Sequence, residues 1–149
     1  MVTAPHEGSF KVLLGEDASR SDLSRLSLEN RVTPKTPPIF IWHTANDDCV
    51  SAHNSLVMAK ACISNKIPVE LHMFDEGPHG LATCDKATGW NEMFISDRCH
   101  RWIKLSAEFL EKYMNVSYQN NFRRDIASAD KPQIFSMHFS NLYVIFVCC

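Results

Sequence analysis

The sequence predicts an α/β fold in which parallel strands alternate with helices. The run IFIW at 39–42 is apolar at every position, which is typical of a strand covered on both faces of a sheet. Residues 52–65 then carry helix-forming side chains, and residues 69–74 alternate as in a second strand. A strand, a helix and a second strand with such short connections favour a right-handed βαβ unit.

The residues before the first strand predict only one short helix. Residues 1–20 are punctuated by proline and glycine and are expected to form a loop. A short helix is predicted at 21–26, with Ser21 as its N-cap. Three prolines within 34–38 then end any helix and force an extended approach to the first strand.

The elements after the first strand are bounded by polar turns. The strand is expected to stop at His43, where a polar turn begins that runs to Asp48. His43 itself is interpreted as a packed residue at the strand end. Ser51 is the predicted N-cap of the helix that follows. After the second strand, residues 75–80 form a turn, and no clear period is found until a long amphipathic helix begins at Asp97.

The residue composition of the chain changes after residue 114. Residues 115–131 are polar and lack a steady period, whereas 134–149 are rich in aromatic and β-branched side chains. The second stretch could be an interaction strand, but we favour an appended segment with little role, which is an aggregation hazard if it is exposed. The sequence therefore predicts one domain over residues 1–114 and an appended tail over 115–149, which could be poorly ordered.

Composition and charge exclude several classes of protein. The 149 residues are enough for one domain, and 45% hydrophobic with 21% charged residues is typical of a globular chain. A net charge of −2 provides no positive field for a nucleic-acid backbone. The longest apolar run, at 142–149, is far shorter than the roughly 20 residues of a membrane-spanning helix. We therefore expect neither nucleic acid nor a membrane as a partner.

The cysteines are scattered and form no CxxC pair. The start MVTAPHEG lacks the charged and apolar regions of a secretory signal, which favours a cytoplasmic location. Cysteines in that compartment are more often reduced thiols than disulfides, which remain the less favoured alternative. No spacing of His and Cys matches a closed metal site, so neither a metal nor a cofactor is expected. The six are Cys49, Cys62, Cys84, Cys99, Cys148 and Cys149.

Two polar turns follow the carboxyl ends of the two predicted strands. The first carries Asp47 and Asp48, and the second carries His79 between Pro78 and Gly80. Sites in α/β sheets form at this edge, and neighbouring strands lie about 5 Å apart. An aspartate there can accept a hydrogen bond from the imidazole and orient it. This pair is the candidate catalytic site, although turns of this composition are also common without any chemistry.

These turns lie within two longer runs that resemble a known group of enzymes. HTANDDCVSAHNS at 43–55 is similar to the HTADDxxVPxxNS run of α/β-hydrolase-fold esterases in the acetyl-xylan esterase and acetyl esterase group. GPHGL at 77–81 is similar to the GxHGL turn of that group. With GSFKVLLGE at 8–16 and the helix around Trp102, the resemblance covers about residues 6–113. It implies a partial α/β-hydrolase fold, the C-terminal portion of a carboxylesterase that acts on acetylated sugars, xylan or small esters.

The resemblance also places the catalytic residues. It puts the catalytic acid at Asp47 and the catalytic histidine at His79, and an acid that precedes the histidine is the triad order of this fold. Ser51 stands where the group has proline after valine. Asp48 matches a variable position and stays the alternative acid if the turn is shifted by one residue.

The serine nucleophile of such enzymes is not found in the sequence. That serine occupies a G-x-S-x-G turn upstream of the acid, and none of the five glycines begins such a run. Loss of the nucleophile costs a serine hydrolase on the order of a million-fold in rate. The sequence therefore predicts a truncated esterase that is inactive alone. A non-catalytic remnant or a partner-binding module is the alternative.

The small number of predicted strands also has a consequence for association. The strand at 39–42 is expected to have neighbours at both of its edges. Unpaired strand edges and uncovered apolar surface favour contacts between molecules. We therefore expect self-association or poor solubility of the isolated chain.

Overall fold

The computed structural model of the protein describes residues 7–17 and 19–114, so the predictions for 115–149 lie outside it and stay predictions. Among the described residues, none of the helices is both long and apolar enough to cross a bilayer. The helices are α1 (Glu7–Leu14), α2 (Arg20–Leu26), α3 (His53–Ser64) and α4 (Asp97–Met114), the strands are β1 (Ile39–Thr44) and β2 (Val69–Phe74), and short 3₁₀ turns span Leu28–Arg31 and Glu92–Phe94.

β1 and β2 form a parallel sheet and are connected through α3. The register runs from Ile39 opposite Val69 to Thr44 opposite Phe74. This is the βαβ unit expected from the sequence, and the α/β fold class is confirmed. β1 extends two residues beyond the predicted end, so the polar turn begins after Thr44 and His43 is a packed strand residue. Its side chain is buried because hydrogen bonds from other segments satisfy both ring nitrogens.

The side chains of β1 alternate between two hydrophobic clusters, one on each face of the sheet. Successive side chains of a strand point to opposite faces, so a strand covered by a helix on each side is apolar throughout. This geometry accounts for the uninterrupted apolar run at 39–42. The α3-side cluster consists of Ile39, Ile41, Met58, Ala59, Cys62 and Ile67. The α4-side cluster consists of Phe40, Trp42, Phe74, Leu81, Cys84, Phe94, Cys99 and Phe109.

α1 occupies part of the segment that was predicted to be a loop. The helix tolerates Gly8 in its first turn and ends at Gly15, whose φ of +83° is a conformation that glycine adopts without strain. The Gly15 N–H donates to the carbonyl of Lys11 at 2.9 Å and closes the last turn. The prediction was wrong because one of the glycines that suggested a loop is a helix terminator.

α2 begins earlier than predicted because a different serine caps it. The hydroxyl of Ser19, not that of Ser21, accepts the N–H of Asp22 at 3.2 Å, and the Asp22 carboxylate accepts the Ser19 N–H at 3.1 Å. This reciprocal pair is a capping box. The hydrogen bonds from Ser19 also hold the pKa of the Asp22 carboxyl below its usual range.

α3 begins close to its predicted start but with a different cap. Ala52 occupies the N-cap position and offers no side-chain hydrogen bond. Ser51, the predicted cap, lies one residue before the N-cap, and its hydroxyl accepts the N–H of His53 at 3.3 Å. The serine therefore supports the first turn without occupying the cap position.

The thiols of the described residues are predicted to differ strongly in reactivity. Among the cysteines of the described residues, Cys49 is exposed, whereas Cys62, Cys84 and Cys99 are buried. Burial raises the pKa of the Cys62 thiol, which keeps it protonated and weakly nucleophilic. We expect iodoacetamide to modify Cys49 in the native chain and to reach the other three only after unfolding in guanidinium. Peptide mass spectrometry checks this, and equal modification of all four in native buffer would contradict the described core.

Candidate active site

Backbone and side-chain hydrogen bonds join the turns that follow β1 and β2. The Ala45 N–H donates to the carbonyl of Phe74 at 2.8 Å and extends the pairing of the strands by one bond. The hydroxyl of Thr44 donates to the carbonyl of Gly77, and the Gly77 N–H donates to the side-chain oxygen of Asn46, both at 2.8 Å. These bonds hold the two turns side by side, and each turn carries one residue of the candidate pair.

Asp47 is a buried carboxylate whose two oxygens have different hydrogen-bond partners. Its side chain is fully buried. Oδ1 accepts the backbone N–H groups of Cys49 and Val50, each at 2.8 Å. Oδ2 lies 3.1 Å from Nδ1 of His79. The two backbone donors orient the carboxylate, so the structure brings together the two residues that the sequence selected.

The two ring nitrogens of His79 have different surroundings. An ionised carboxylate only accepts, so Nδ1 carries hydrogen and Nε2 of the neutral ring keeps its lone pair. Within residues 7–17 and 19–114, Nε2 has no hydrogen-bond partner, and the side chain is 39% exposed. An imidazole in this form can take a proton from a hydroxyl that approaches Nε2.

Asp48 was the alternative acid in the sequence analysis. It is exposed on the same turn. Among the hydrogen bonds and ion pairs of the described residues, none joins Asp48 to His79. The geometry therefore favours Asp47 as the partner of the imidazole.

A second imidazole lies against the same carboxylate. His43 is fully buried, and its Nε2 lies 3.5 Å from Oδ2 of Asp47 and 3.0 Å from the carbonyl of Val50. Its Nδ1 lies 2.7 Å from the hydroxyl of Ser55 on α3. The sequence indicated a packed strand-end residue at position 43 and assigned no role to Ser55. His43 and Ser55 are the first and last residues of the 43–55 run that resembles the esterase group, but the resemblance does not reveal that the His43 ring lies between Ser55 and Asp47.

The family of the chain follows from comparison with known proteins. Residues 12–116 match the sequence profile of the prolyl oligopeptidase family. The chain belongs to the prolyl oligopeptidase family. The α/β-hydrolase relationship expected from the 43–55 and 77–81 runs is thereby confirmed, and solved structures of hydrolases in this fold agree with it.

Similar proteins include carbohydrate-active hydrolases. An acetyl ester-xyloside bifunctional hydrolase from Caldicellulosiruptor lactoaceticus superposes with a TM-score of 0.64 at 38% identity, over 72% of this chain and 36% of that protein. A sugar hydrolase from Lactococcus lactis gives 0.63 at 31% identity, over 66% and 40%. Endo-1,4-beta-xylanase B of Butyrivibrio fibrisolvens is 38% identical over 88 residues, which are 58% of this chain and 14% of the xylanase. The chain thus spans less than half the length of each of these three relatives.

In this member of the prolyl oligopeptidase family, α4 holds the segment that follows His79. The indole N–H of Trp102 donates to the carbonyl of Ala82 at 2.9 Å, and Nδ1 of His100 lies 2.6 Å from the carbonyl of Thr83. Ala82 has a φ of +49°, a left-handed conformation that costs a residue with a side chain about 1–2 kcal/mol. The contacts from α4 stabilise this strained backbone close to the candidate histidine.

Gly77→Ala is expected to destabilise the junction of the two turns. Gly77 has a φ of +152°, and a Cβ there would lie 2.6 Å from Cδ1 of Leu81 and 2.9 Å from Cγ2 of Thr44. Both neighbours are buried and cannot move away freely. Backbone strain and overpacking together should lower the free energy of unfolding by about 2–4 kcal/mol. Urea denaturation followed by circular dichroism measures this loss.

Gly15→Ala is the matched control for that experiment. Gly15 also has a positive φ, but nothing lies within 4 Å of the Cβ it would gain. The control should therefore show only the backbone penalty, about 1 kcal/mol. If the two variants lost equal stability, the close approach at Gly77 would be refuted.

Proposed function

We propose that the chain provides the acid and the histidine of a serine-esterase triad, with Asp47 orienting His79. The observation that carries the proposal is the 3.1 Å contact between Oδ2 of a buried carboxylate and Nδ1 of an imidazole that is 39% exposed. The proposed substrates are acetylated carbohydrates or other small esters. The sequence resemblance and the similarity to an acetyl ester-xyloside hydrolase support this substrate class.

The proposed reaction begins with a serine hydroxyl placed at Nε2 of His79. Nε2 accepts the hydroxyl proton while the serine oxygen attacks the acyl carbon, and Asp47 stabilises the resulting imidazolium at Nδ1. The imidazolium then gives its proton to the leaving alcohol oxygen, which leaves an acylated serine. Water repeats the two proton transfers and releases the acid. The bonds at Oδ1 of Asp47 keep Oδ2 directed at His79 throughout.

The attacking serine has to come from sequence outside these 149 residues, since they contain no G-x-S-x-G run. A positioned general base alone is worth about 10²–10⁴-fold in rate. Loss of a serine nucleophile removes on the order of 10⁶-fold. We therefore propose that the chain by itself does not hydrolyse esters.

A chimera tests the proposed roles directly. Residues 19–114 replace the aligned segment of the Caldicellulosiruptor lactoaceticus hydrolase, whose remaining chain supplies the nucleophile under this proposal. We expect the chimera to hydrolyse p-nitrophenyl acetate and acetylated xylose, and the isolated chain to react with neither these esters nor a fluorophosphonate probe. His79→Ala should abolish activity of the chimera. His72→Ala, a substitution on β2 outside the candidate pair, should leave it largely intact.

Two outcomes would contradict the proposal. One is a folded, active chimera whose rate does not depend on His79. The other is fluorophosphonate labelling of the isolated chain at a serine, lost in His79→Ala, which would show that the chain already carries its own nucleophile.

We also propose that the isolated chain self-associates through the edges of its small sheet. Unpaired backbone groups at a strand edge favour pairing with another chain. Sedimentation velocity over a range of protein concentrations should show a sedimentation coefficient that rises with concentration. A monomer that is unchanged over that range and unfolds cooperatively would contradict this.

A further inference from the structure

We propose that His43 and Ser55 are positioning residues for Asp47, an inference that rests on the proposed function. Neither of them touches the position where a substrate would meet His79. They act on the turn that carries the acid. The proposed effect is to keep Oδ2 of Asp47 at its contact distance from Nδ1 of His79.

The contacts of His43 determine which of its ring nitrogens carries hydrogen. Nε2 faces the carbonyl of Val50 at 3.0 Å, and a carbonyl oxygen only accepts, so Nε2 carries hydrogen and donates. In the neutral ring, Nδ1 is then an acceptor, and the hydroxyl of Ser55 donates to it over 2.7 Å. Both nitrogens are thus satisfied inside the protein, where the side chain has no access to solvent.

His43 contacts the turn that carries Asp47, called the acid turn here (residues 45–50), at two points. Its Nε2–H donates to the carbonyl of Val50, while the N–H of Val50 donates to Oδ1 of Asp47. The Nε2 atom also lies 3.5 Å from Oδ2 of Asp47, the oxygen that faces His79. Oδ2 therefore lies between two imidazoles, and the N–H dipole of His43 stabilises its negative charge without a proton transfer.

Ser55 connects this arrangement to the body of the fold. It is buried on α3, while His43 belongs to β1, so their hydrogen bond links the helix and the strand beneath the acid turn. A displaced turn would leave the His43 N–H and the Val50 carbonyl without partners in a buried setting, which is costly. Two regular elements, rather than the turn alone, therefore set the position of Asp47.

The test follows the tautomer of His79 in the complete 149-residue chain. Long-range ¹H–¹⁵N correlation spectra in alkaline buffer show, for each neutral histidine, which nitrogen carries hydrogen. Wild-type His79 should be in the Nδ1–H form, and Asp47→Asn should convert it to the Nε2–H form. His43→Phe should lower the ratio of Nδ1–H to Nε2–H at His79 about tenfold, the size expected for loss of a hydrogen bond to a charged group.

Three further variants make the result specific. His43→Gln keeps an amide that can donate to the Val50 carbonyl and should retain the wild-type tautomer of His79. Ser55→Ala removes only a hydroxyl and should lower the tautomer ratio less than His43→Phe does, so it keeps the test decisive if His43→Phe does not fold. His53→Phe, at an exposed position on α3, should change nothing.

The outcomes separate the two proposals. Wild-type His79 in the Nε2–H form would overturn the proposed catalytic pair itself. If wild type and Asp47→Asn behave as expected but folded His43→Phe and Ser55→Ala keep the wild-type tautomer, only the positioning role is overturned. A merely structural role would lower the melting temperature of these variants without changing the tautomer of His79.

Discussion

Asp47→Asn is expected to lower the kcat of the active chimera by about 10⁴-fold, the size of the loss when a triad aspartate becomes asparagine. The asparagine amide can donate to Nδ1 of His79, which leaves hydrogen on Nε2. In that form the imidazole has no lone pair to accept the serine proton. Asparagine has nearly the same size as aspartate, so the substitution keeps the packing. It changes only the group that meets Nδ1 of His79 across the 3.1 Å contact, and therefore the tautomer of the imidazole. Steady-state kinetics with p-nitrophenyl acetate measure the loss.

Asp48→Asn is the matched control, since it makes the same chemical change one residue later. Asp48 is exposed, so its substitution should change kcat by less than about threefold, equivalent to the small effects of most surface changes. A large loss at Asp48 with a small loss at Asp47 would mean that the acid is the other carboxylate. Equal losses at both positions would rule out a single orienting acid.

Trp42→Ala is expected to produce the largest loss of stability, about 3–5 kcal/mol. The ring is fully buried, lies parallel to the ring of Trp102 at 5.3 Å and meets the ring of Phe74 edge-on at 6.0 Å. Small domains have only about 5–15 kcal/mol of total stability, so the variant should be barely folded. Urea denaturation followed by circular dichroism tests this.

Two other substitutions of tryptophan serve as controls for that measurement. Trp90→Ala removes a ring that is 78% exposed, and should cost less than about 1 kcal/mol. Trp42→Phe keeps an aromatic ring, and the buried indole N–H that it removes has no acceptor among the described residues. It should therefore cost about 1–3 kcal/mol, less than Trp42→Ala. Equal stability of Trp42→Ala and Trp90→Ala would refute the packing of the α4-side cluster.

The sequence predicted the elements whose formation depends mainly on local pattern. An apolar run at 39–42, an alternating run at 69–74 and a helical period after Asp97 each identify one element, because burial selects side chains with the period of the backbone. The proximity of Asp47 and His79 was also predictable, since the carboxyl ends of neighbouring parallel strands meet at one edge of the sheet.

The errors in the prediction share one physical cause. Ser19 and Ser21 are chemically alike, so only the reciprocal bond with Asp22 selects the cap of α2. A glycine can disrupt a segment or end a helix, and Gly15 does the second. In each case the local residue type permits two structures, and a hydrogen bond to a particular partner decides between them.

The sequence by itself determined the order of β1, α3, β2 and α4, the α/β class and the two turns on which a catalytic acid and histidine could meet. Only the tertiary structure decided that β1 continues through Thr44 and that Ser55 on α3 and Val50 in the turn after β1 satisfy the ring nitrogens of His43. A polar side chain at a strand end is stable either in water or against buried partners. Which of the two applies depends on polar groups of other elements, and the local residue pattern does not show where those groups lie.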